Sequence, residues 1–422
     1  MIKFIKEKLK DELLAHSSMM FSATILGGLC NFLFQIYANH NLNERNFSLL
    51  YTLMTLTIMV GVIGMTVLTM VAKQVSHYKA KDETEKIAYL FTHILAKISL
   101  IALLGFLIYS VFSHKIALFF NRPDATLAIV ITGMLMALSV IIPVGYGALQ
   151  GLQRFHQWSL SMIIFSLFRL LAGVLLIYLG FEVTGAVSGS LIAFIITFII
   201  ILFWIRGILF KEERPIQVSL IEFYKTSWWI LGIFLFGNII CFIDILIVQH
   251  FLESRAAYYS STSVLGRTIF YLPWAIAASM FPKVSGLYAK RQPTLPLLKK
   301  TLLYSFGLCI LAALTISALS KFVVVIFLDE IYLEAVPELL RLFVFAFIPY
   351  ALITVLLYYN IAIHKVETVG ILLVQTVFHL IILSIFHTDL KEIIYALAFS
   401  GSIIFISLLW FTLRFDHKTG KR

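Results

Sequence analysis

A chain of 422 residues that is 60% apolar and only 13% charged departs from ordinary soluble domains, which run at roughly 45–50% and 25%; its mean hydropathy is +0.96. The apolar residues come in long uninterrupted runs, so the bilayer is the solvent, and a soluble enzyme, a disordered tail protein and a secreted disulfide scaffold are excluded. The net charge of +11 could suggest nucleic acid as a partner, but the basic residues are scattered through short loops and form no single patch.

Residues 1–15, beginning MIKFIKEKLKDELL, place Ile2, Ile5, Leu9 and Leu13 on one helical stripe among lysines, the pattern of an interfacial amphipathic helix on the cytoplasmic side. A signal peptide is the competing reading, but no small-residue cleavage site follows. Since a helix needs about 20 apolar residues to cross a hydrocarbon core of about 30 Å, twelve spans can be marked. The first six lie at 16–39, 48–72, 89–113, 124–149, 158–180 and 184–205, and the second six at 226–249, 258–282, 299–323, 334–359, 366–387 and 393–414. The chain therefore reads as an all-α integral membrane protein: a six-helix bundle over 16–205, a cytoplasmic linker over 206–225, a second six-helix bundle over 226–414 and a cytoplasmic tail over 415–422.

Polar residues inside spans carry the functional information, because a charge at the bilayer centre costs roughly 2.5–3.5 kcal/mol on insertion scales and needs a partner or a wet cavity. Span one carries Gly28, Asn31, Gln35 and Asn39 at 3 and 4 spacing, a stripe suited either to hydroxyl-rich cargo or to helix-to-helix hydrogen bonds. In span three, Lys97 follows His93 by one turn, shallow enough for a snorkelling lysine. Pro143 interrupts span four. Arg169 lies eleven residues into span five, about 16 Å deep, sharing a face with Ser166 and Gly173. The break at 181–183 makes spans five and six a tight hairpin.

In span seven, Asp244 shares a face with Gly237 and Cys241; it is either a protonatable coupling group or the counter-ion of an embedded arginine. In span eight, Ser260, Ser263, Arg267, Tyr271 and Trp274 follow one helical stripe, with Pro273 as a hinge or kink. Both Arg169 and Arg267 can line a cavity, or can be structural arginines paired with carbonyls or an acid. In span ten, Arg341 stands one turn after Glu338, where an i, i+3 ion pair competes with a cavity role, and Pro349 follows. Gln375 and His379, one turn apart in span eleven, are a proton relay or a structural pair. The embedded balance of Lys97, Arg169, Arg267 and Arg341 against Asp244 alone favours an anionic ligand.

Cys30, Cys241 and Cys309 sit in apolar runs with neither disulfide nor metal-ligand spacing, so they are packing residues and no metal is expected. No loop between spans exceeds the 20 residues of 206–225, and no GxxxxGK[ST] phosphate loop occurs; no cofactor and no catalytic domain are expected. Of the 33 Lys and Arg residues, 23 fall in loops on one side and six on the other, so the positive-inside bias puts both termini in the cytoplasm. Sliding the second half back by 210 residues superposes the two sets of spans and pairs Met70 with Met280, Lys73 with Lys283, Tyr78 with Tyr288 and Lys81 with Arg291. Such a parallel repeat predicts a transporter with its site at the midplane between halves.

The stretch GALQGLQRFHQWSL between spans four and five, the stretch LGRTIFYLPWAIAASMFPKVSGLYAKR across span eight, and the six-plus-six layout resemble bacterial polysaccharide flippases. These are Wzx-like exporters of the multidrug/oligosaccharidyl-lipid/polysaccharide superfamily. The resemblance covers essentially the whole chain. It implies a MATE-like, V-shaped pair of bundles in the bacterial inner membrane, exporting undecaprenyl-pyrophosphate-linked oligosaccharide by alternating access for O-antigen, capsule or exopolysaccharide. It also implies that cations line the cleft. Arg169 and Arg267 fit best, assisted by Lys97 or Arg341, with Asn31, Gln35 and Asn39 meeting the sugars and Asp244 as coupling candidate for a proton or sodium ion. Membrane lipids and polysaccharide polymerase or assembly proteins are the implied partners. A lipid II flippase relative would have fourteen spans, whereas twelve are present here. An ion-coupled multidrug or small-solute exporter of the same superfamily is the nearest alternative, weakened by the absence of embedded acids in the first half. A membrane polysaccharide polymerase or glycosyltransferase is a more distant one.

Overall fold

The computed structural model describes residues 2–81, 83–209 and 220–419, and among these every regular element is a helix. Each of the twelve predicted spans is helical. Among the described residues nine helical stretches are by themselves long and apolar enough to cross a membrane, and one of them, Phe155–Gly207, is 53 residues long and holds two spans. Helices suit a bilayer because each satisfies its backbone hydrogen bonds within one segment. The linker segment 210–219 lies outside the described residues, as do the side chains of the amphipathic segment 1–15 and of the tail 415–422.

The chain forms two compact units, one made of residues 1–42 and 53–227, the other of 43–52 and 228–422. The first contains α1 (Ile2–Asn41), most of α2 (Glu44–Ala80), α3 (Thr84–Val111), the short α4 (Ser113–Phe119), α5 (Thr126–Gly151), α6 (Phe155–Leu176) and α7 (Glu182–Leu209). Helix α1 packs on α6, α6 on α7, and α5 on both α3 and α7. The core between α2, α3, α5 and α7 is a cluster of buried aliphatics and Phe91, including Val71, Ile142, Leu149 and Ile201. Here the GALQG stretch has a structural role. A Cβ on Gly147 would stand 2.6 Å from the Leu68 carbonyl oxygen, and one on Gly151 would stand 2.7 Å from that of Ala72. Two glycines one turn apart thus let α5 lie directly on the backbone of α2, as small residues do in membrane helix pairs. The hairpin of spans five and six closes through a π turn over Ile177–Phe181 in which Gly180 takes φ +86°, a left-handed conformation natural to glycine.

The second unit contains α8 (Leu220–Phe251), α9 (Ala256–Gly266), α10 (Thr268–Ala289), α11 (Leu295–Ala318), the short α12 (Ser320–Phe327), α13 (Val336–Ala346), α14 (Ile348–Ala362), α15 (Thr368–Ile385) and α16 (Leu390–Thr419). Helix α10 packs on α11 and α14, α13 on α9 and α16, and α14 on α16. The opening turns of α2 belong to this unit: Arg45 pairs with Glu253 at 2.7 Å, and the Thr52 hydroxyl donates to Gln249 at 3.4 Å.

Spans eight, nine and ten are not single rods. They break at Arg267, Leu319 and Phe347, the last of which lies two residues before Pro349, whereas α5 continues unbroken through Pro143. Span three breaks at Phe112 (φ −89°, ψ 1°) and span nine at Leu319 (φ −96°, ψ 13°), three residues short of the position that the repeat pairs with Phe112. The matched loops turn alike: the Lys81 amide donates to the Tyr78 carbonyl at 3.1 Å and the Arg291 amide to that of Tyr288 at 3.0 Å.

Candidate functional site

In the first unit, the packing of α1 against α6 brings Arg169 to the polar stripe of span one. Its Nη1 donates to Asn31 Oδ1 at 2.9 Å, and the guanidinium carbon lies 5.0 Å from the centre of the Phe34 ring. Gly173, one turn further along α6, makes room for that ring: a Cβ there would stand 2.4 Å from Phe34. No ion pair involves Arg169 among the described residues, and its Nε is buried without a hydrogen-bond partner. Gln35 Oε1, one turn after Asn31, is likewise buried and unpartnered. Asn39 is 1% exposed. The result is a cation held by one neutral amide and one aromatic face, with donor capacity left over. Such a group is stabilised by an anion more than by anything already beside it.

In the second unit the arrangement is the opposite. Arg267 and Asp244 are 4% and 0% exposed, and Arg267 Nη2 meets Asp244 Oδ2 at 2.6 Å. Every guanidinium nitrogen is engaged: Nε donates to Ser263 Oγ at 2.5 Å and Nη1 to the Cys241 carbonyl. Phe347 and Phe242 lie under the guanidinium at 4.5 and 4.9 Å, within the range of cation–π attraction. Asp244 Oδ2 also accepts from the Tyr259 hydroxyl at 2.5 Å, while Oδ1 is buried and unpartnered. Ser263 in turn meets the Tyr51 hydroxyl at 3.2 Å. A fully buried ion pair with this many supporting hydrogen bonds offsets much of its desolvation cost. Of the span-eight stripe, Ser260, Ser263 and Arg267 are all buried, and the side chains of Tyr271 and Trp274 lie outside the described residues.

The remaining expected residues are not gathered with these. Lys97 is exposed on α3 beside Leu100 and Ile101, which are 58% and 63% exposed; an exposed apolar strip of this kind suits a snorkelling lysine. His93 stacks on Tyr89 with ring centres 3.8 Å apart. Arg341 is exposed and donates from Nε to Ser320 Oγ at 2.8 Å. Glu338 does not pair with Arg341; its carboxylate bonds Lys391 of α16 at 2.7 Å. Gln375 and His379 do not bond each other either. Gln375 donates to Ser407 at 2.7 Å and His379 Nδ1 meets Ser400 at 2.9 Å, so both tie α15 to α16. Tyr259 and the Phe242, Phe343, Phe347 box were not singled out by the sequence. Tyr259 precedes Ser263 and Arg267 at spacings of four, so the stripe could have contained it.

A family model described as polysaccharide biosynthesis protein matches residues 13–288. No curated protein matches the chain. Among solved structures, the inward-facing conformation of a multidrug resistance MATE family transporter of the MOP superfamily aligns with a TM-score of 0.74 at 16% identity, covering 96% of this chain and 98% of that one. The lipid II flippase MurJ in an inward closed conformation aligns with a TM-score of 0.74 at 15% identity, over 96% of this chain and 90% of that one. A MOP superfamily transporter from Pyrococcus furiosus aligns with a TM-score of 0.61 at 16% identity over 98% and 97%. At these identities the likeness is one of fold.

Proposed function

The chain belongs to the polysaccharide biosynthesis protein family, a family of membrane transporters and not of enzymes, and from that premise we propose that it flips a lipid-linked oligosaccharide. The cargo is joined through undecaprenyl pyrophosphate and moves from the cytoplasmic to the outer leaflet of a bacterial inner membrane by alternating access. Both termini stay in the cytoplasm. The observation that carries this reading is Arg169. A guanidinium deep in a span, with no carboxylate partner among the described residues and an unpartnered Nε, fits an anionic headgroup and is costly without one. Gln35 beside it offers an amide to a sugar hydroxyl. Export of an anion is also assisted by a negative-inside potential, at about 2.3 kcal/mol per charge per 100 mV.

Arg267 takes part differently. Arg267 is committed to Asp244, whose other carboxylate oxygen, Oδ1, is buried without a hydrogen-bond partner. Asp244 is the coupling candidate for a proton or sodium ion. A reading as an ion-coupled exporter of small solutes accommodates Asp244 but leaves the uncompensated Arg169 without a use.

The experiment is translocation of a fluorescent undecaprenyl-pyrophosphate oligosaccharide in proteoliposomes. A hydrogen bond to a charged group is worth roughly 1.5–3 kcal/mol, so Arg169→Met should lower uptake about ten- to a hundredfold, and Arg169→Lys should keep part of it. Undiminished transport by Arg169→Met overturns the assignment.

A further inference from the structure

On the second unit, α11, α14 and α16 enclose a groove of about 360 Å³. Its walls are apolar: Leu298, Leu302 and Phe306 from α11, Leu352 from α14, Leu409 and Leu413 from α16. The one charged residue in its lining is Lys299, at the end where α11 begins and α16 finishes. Leu303 and Phe306 beside the groove are 67% and 47% exposed, so it opens sideways. Two further cations flank the same end. Lys300 lies over the Tyr304 ring and Arg414 over the Trp410 ring, at 5.6 and 4.8 Å, and none of Lys299, Lys300 and Arg414 forms an ion pair among the described residues.

We propose that this groove is a binding site for an anionic phospholipid of the cytoplasmic leaflet, with one acyl chain against the leucines and the phosphate on Lys299. Three features select that occupant. From Leu298 to Phe306 the groove runs along eight residues of α11, or about 12 Å, against about 15 Å for half of the hydrocarbon core; the fit is to one leaflet. The cations mark the end facing the Lys- and Arg-rich loops, which the positive-inside bias places in the cytoplasm. Paired with no carboxylate among the described residues, they complement an anionic phosphodiester more than a zwitterionic headgroup of no net charge. The site belongs to one unit alone and is independent of Arg169, Arg267 and the cargo reading.

The test is native mass spectrometry of the full-length protein in detergent, titrated with phosphatidylglycerol and, in parallel, with phosphatidylcholine of the same chains. Retained phosphatidylglycerol should exceed phosphatidylcholine. One surface cation is worth about 1 kcal/mol toward an anionic lipid, so Lys299→Glu should lower phosphatidylglycerol retention at least about fivefold. Lys299 is exposed, so this change leaves the fold intact. Leu302→Trp, which fills the groove, should lower retention of both lipids. Equal retention of the two lipids by the wild type, or undiminished phosphatidylglycerol retention by Leu302→Trp, overturns the site. Displacement of phosphatidylglycerol by an equimolar polyprenyl phosphate also overturns it and assigns the groove to the tail of the cargo.

Discussion

Replacing Asp244 by Asn isolates the charge of Arg267 without changing the volume of the core. The two groups are 0% and 4% exposed and 2.6 Å apart, and no other carboxylate pairs with Arg267 among the described residues. Removing one partner of such a buried pair costs about 3–5 kcal/mol, because the remaining charge is left uncompensated. For a unit of this size each kcal/mol lowers Tm by about 2–4 °C, so Asp244→Asn should lower it by roughly 6–20 °C. Melting can be followed by the reaction of a thiol-sensitive dye with Cys241 and Cys309, both free and buried. Adding Arg267→Gln to Asp244→Asn should recover most of the loss, since the pair is then removed as a pair. A cycle in which Asp244→Asn melts within 2 °C or so of wild type would refute the ion pair as the thing that holds α8 to the α9–α10 break. A double variant no better than the single would refute charge isolation as the cause.

Two further outcomes follow from the packing. Gly147→Val places side-chain atoms against the Leu68 carbonyl and Val71, where even a Cβ would stand at 2.6 and 2.8 Å, so it should destabilise by about 1–3 kcal/mol; Gly105→Ala, which meets nothing within 4 Å, is the control and should leave Tm unchanged or raise it. Lys97→Gln should leave proteoliposome transport within about twofold of wild type, because an outward snorkelling lysine holds no cargo; a tenfold loss would put Lys97 back among the binding residues.

How much of this protein could be read in its sequence follows from what a bilayer makes one-dimensional. Each span satisfies its backbone within itself, so the places of the twelve spans were legible from apolar runs, though the breaks inside spans three, eight, nine and ten were not. The loop asymmetry in Lys and Arg was legible for the same reason, and so was the 210-residue repeat, whose matched loops turn alike at Lys81 and Arg291. The embedded polar residues were also visible, since a charge in an apolar run stands out wherever its side chain points. Their partners were not. Arg169 and Asn31 are 138 residues apart, and Arg267 and Asp244 are 23 apart. Which of them meet depends on which faces of two helices turn together, and one residue of register rotates a face by about 100°. Tertiary packing alone left Arg169 with an amide, gave Arg267 a carboxylate, sent Glu338 to Lys391 and turned Lys97 outward. A composition that offers four embedded cations and one acid fixes that three must find other company; only the packed helices decide which.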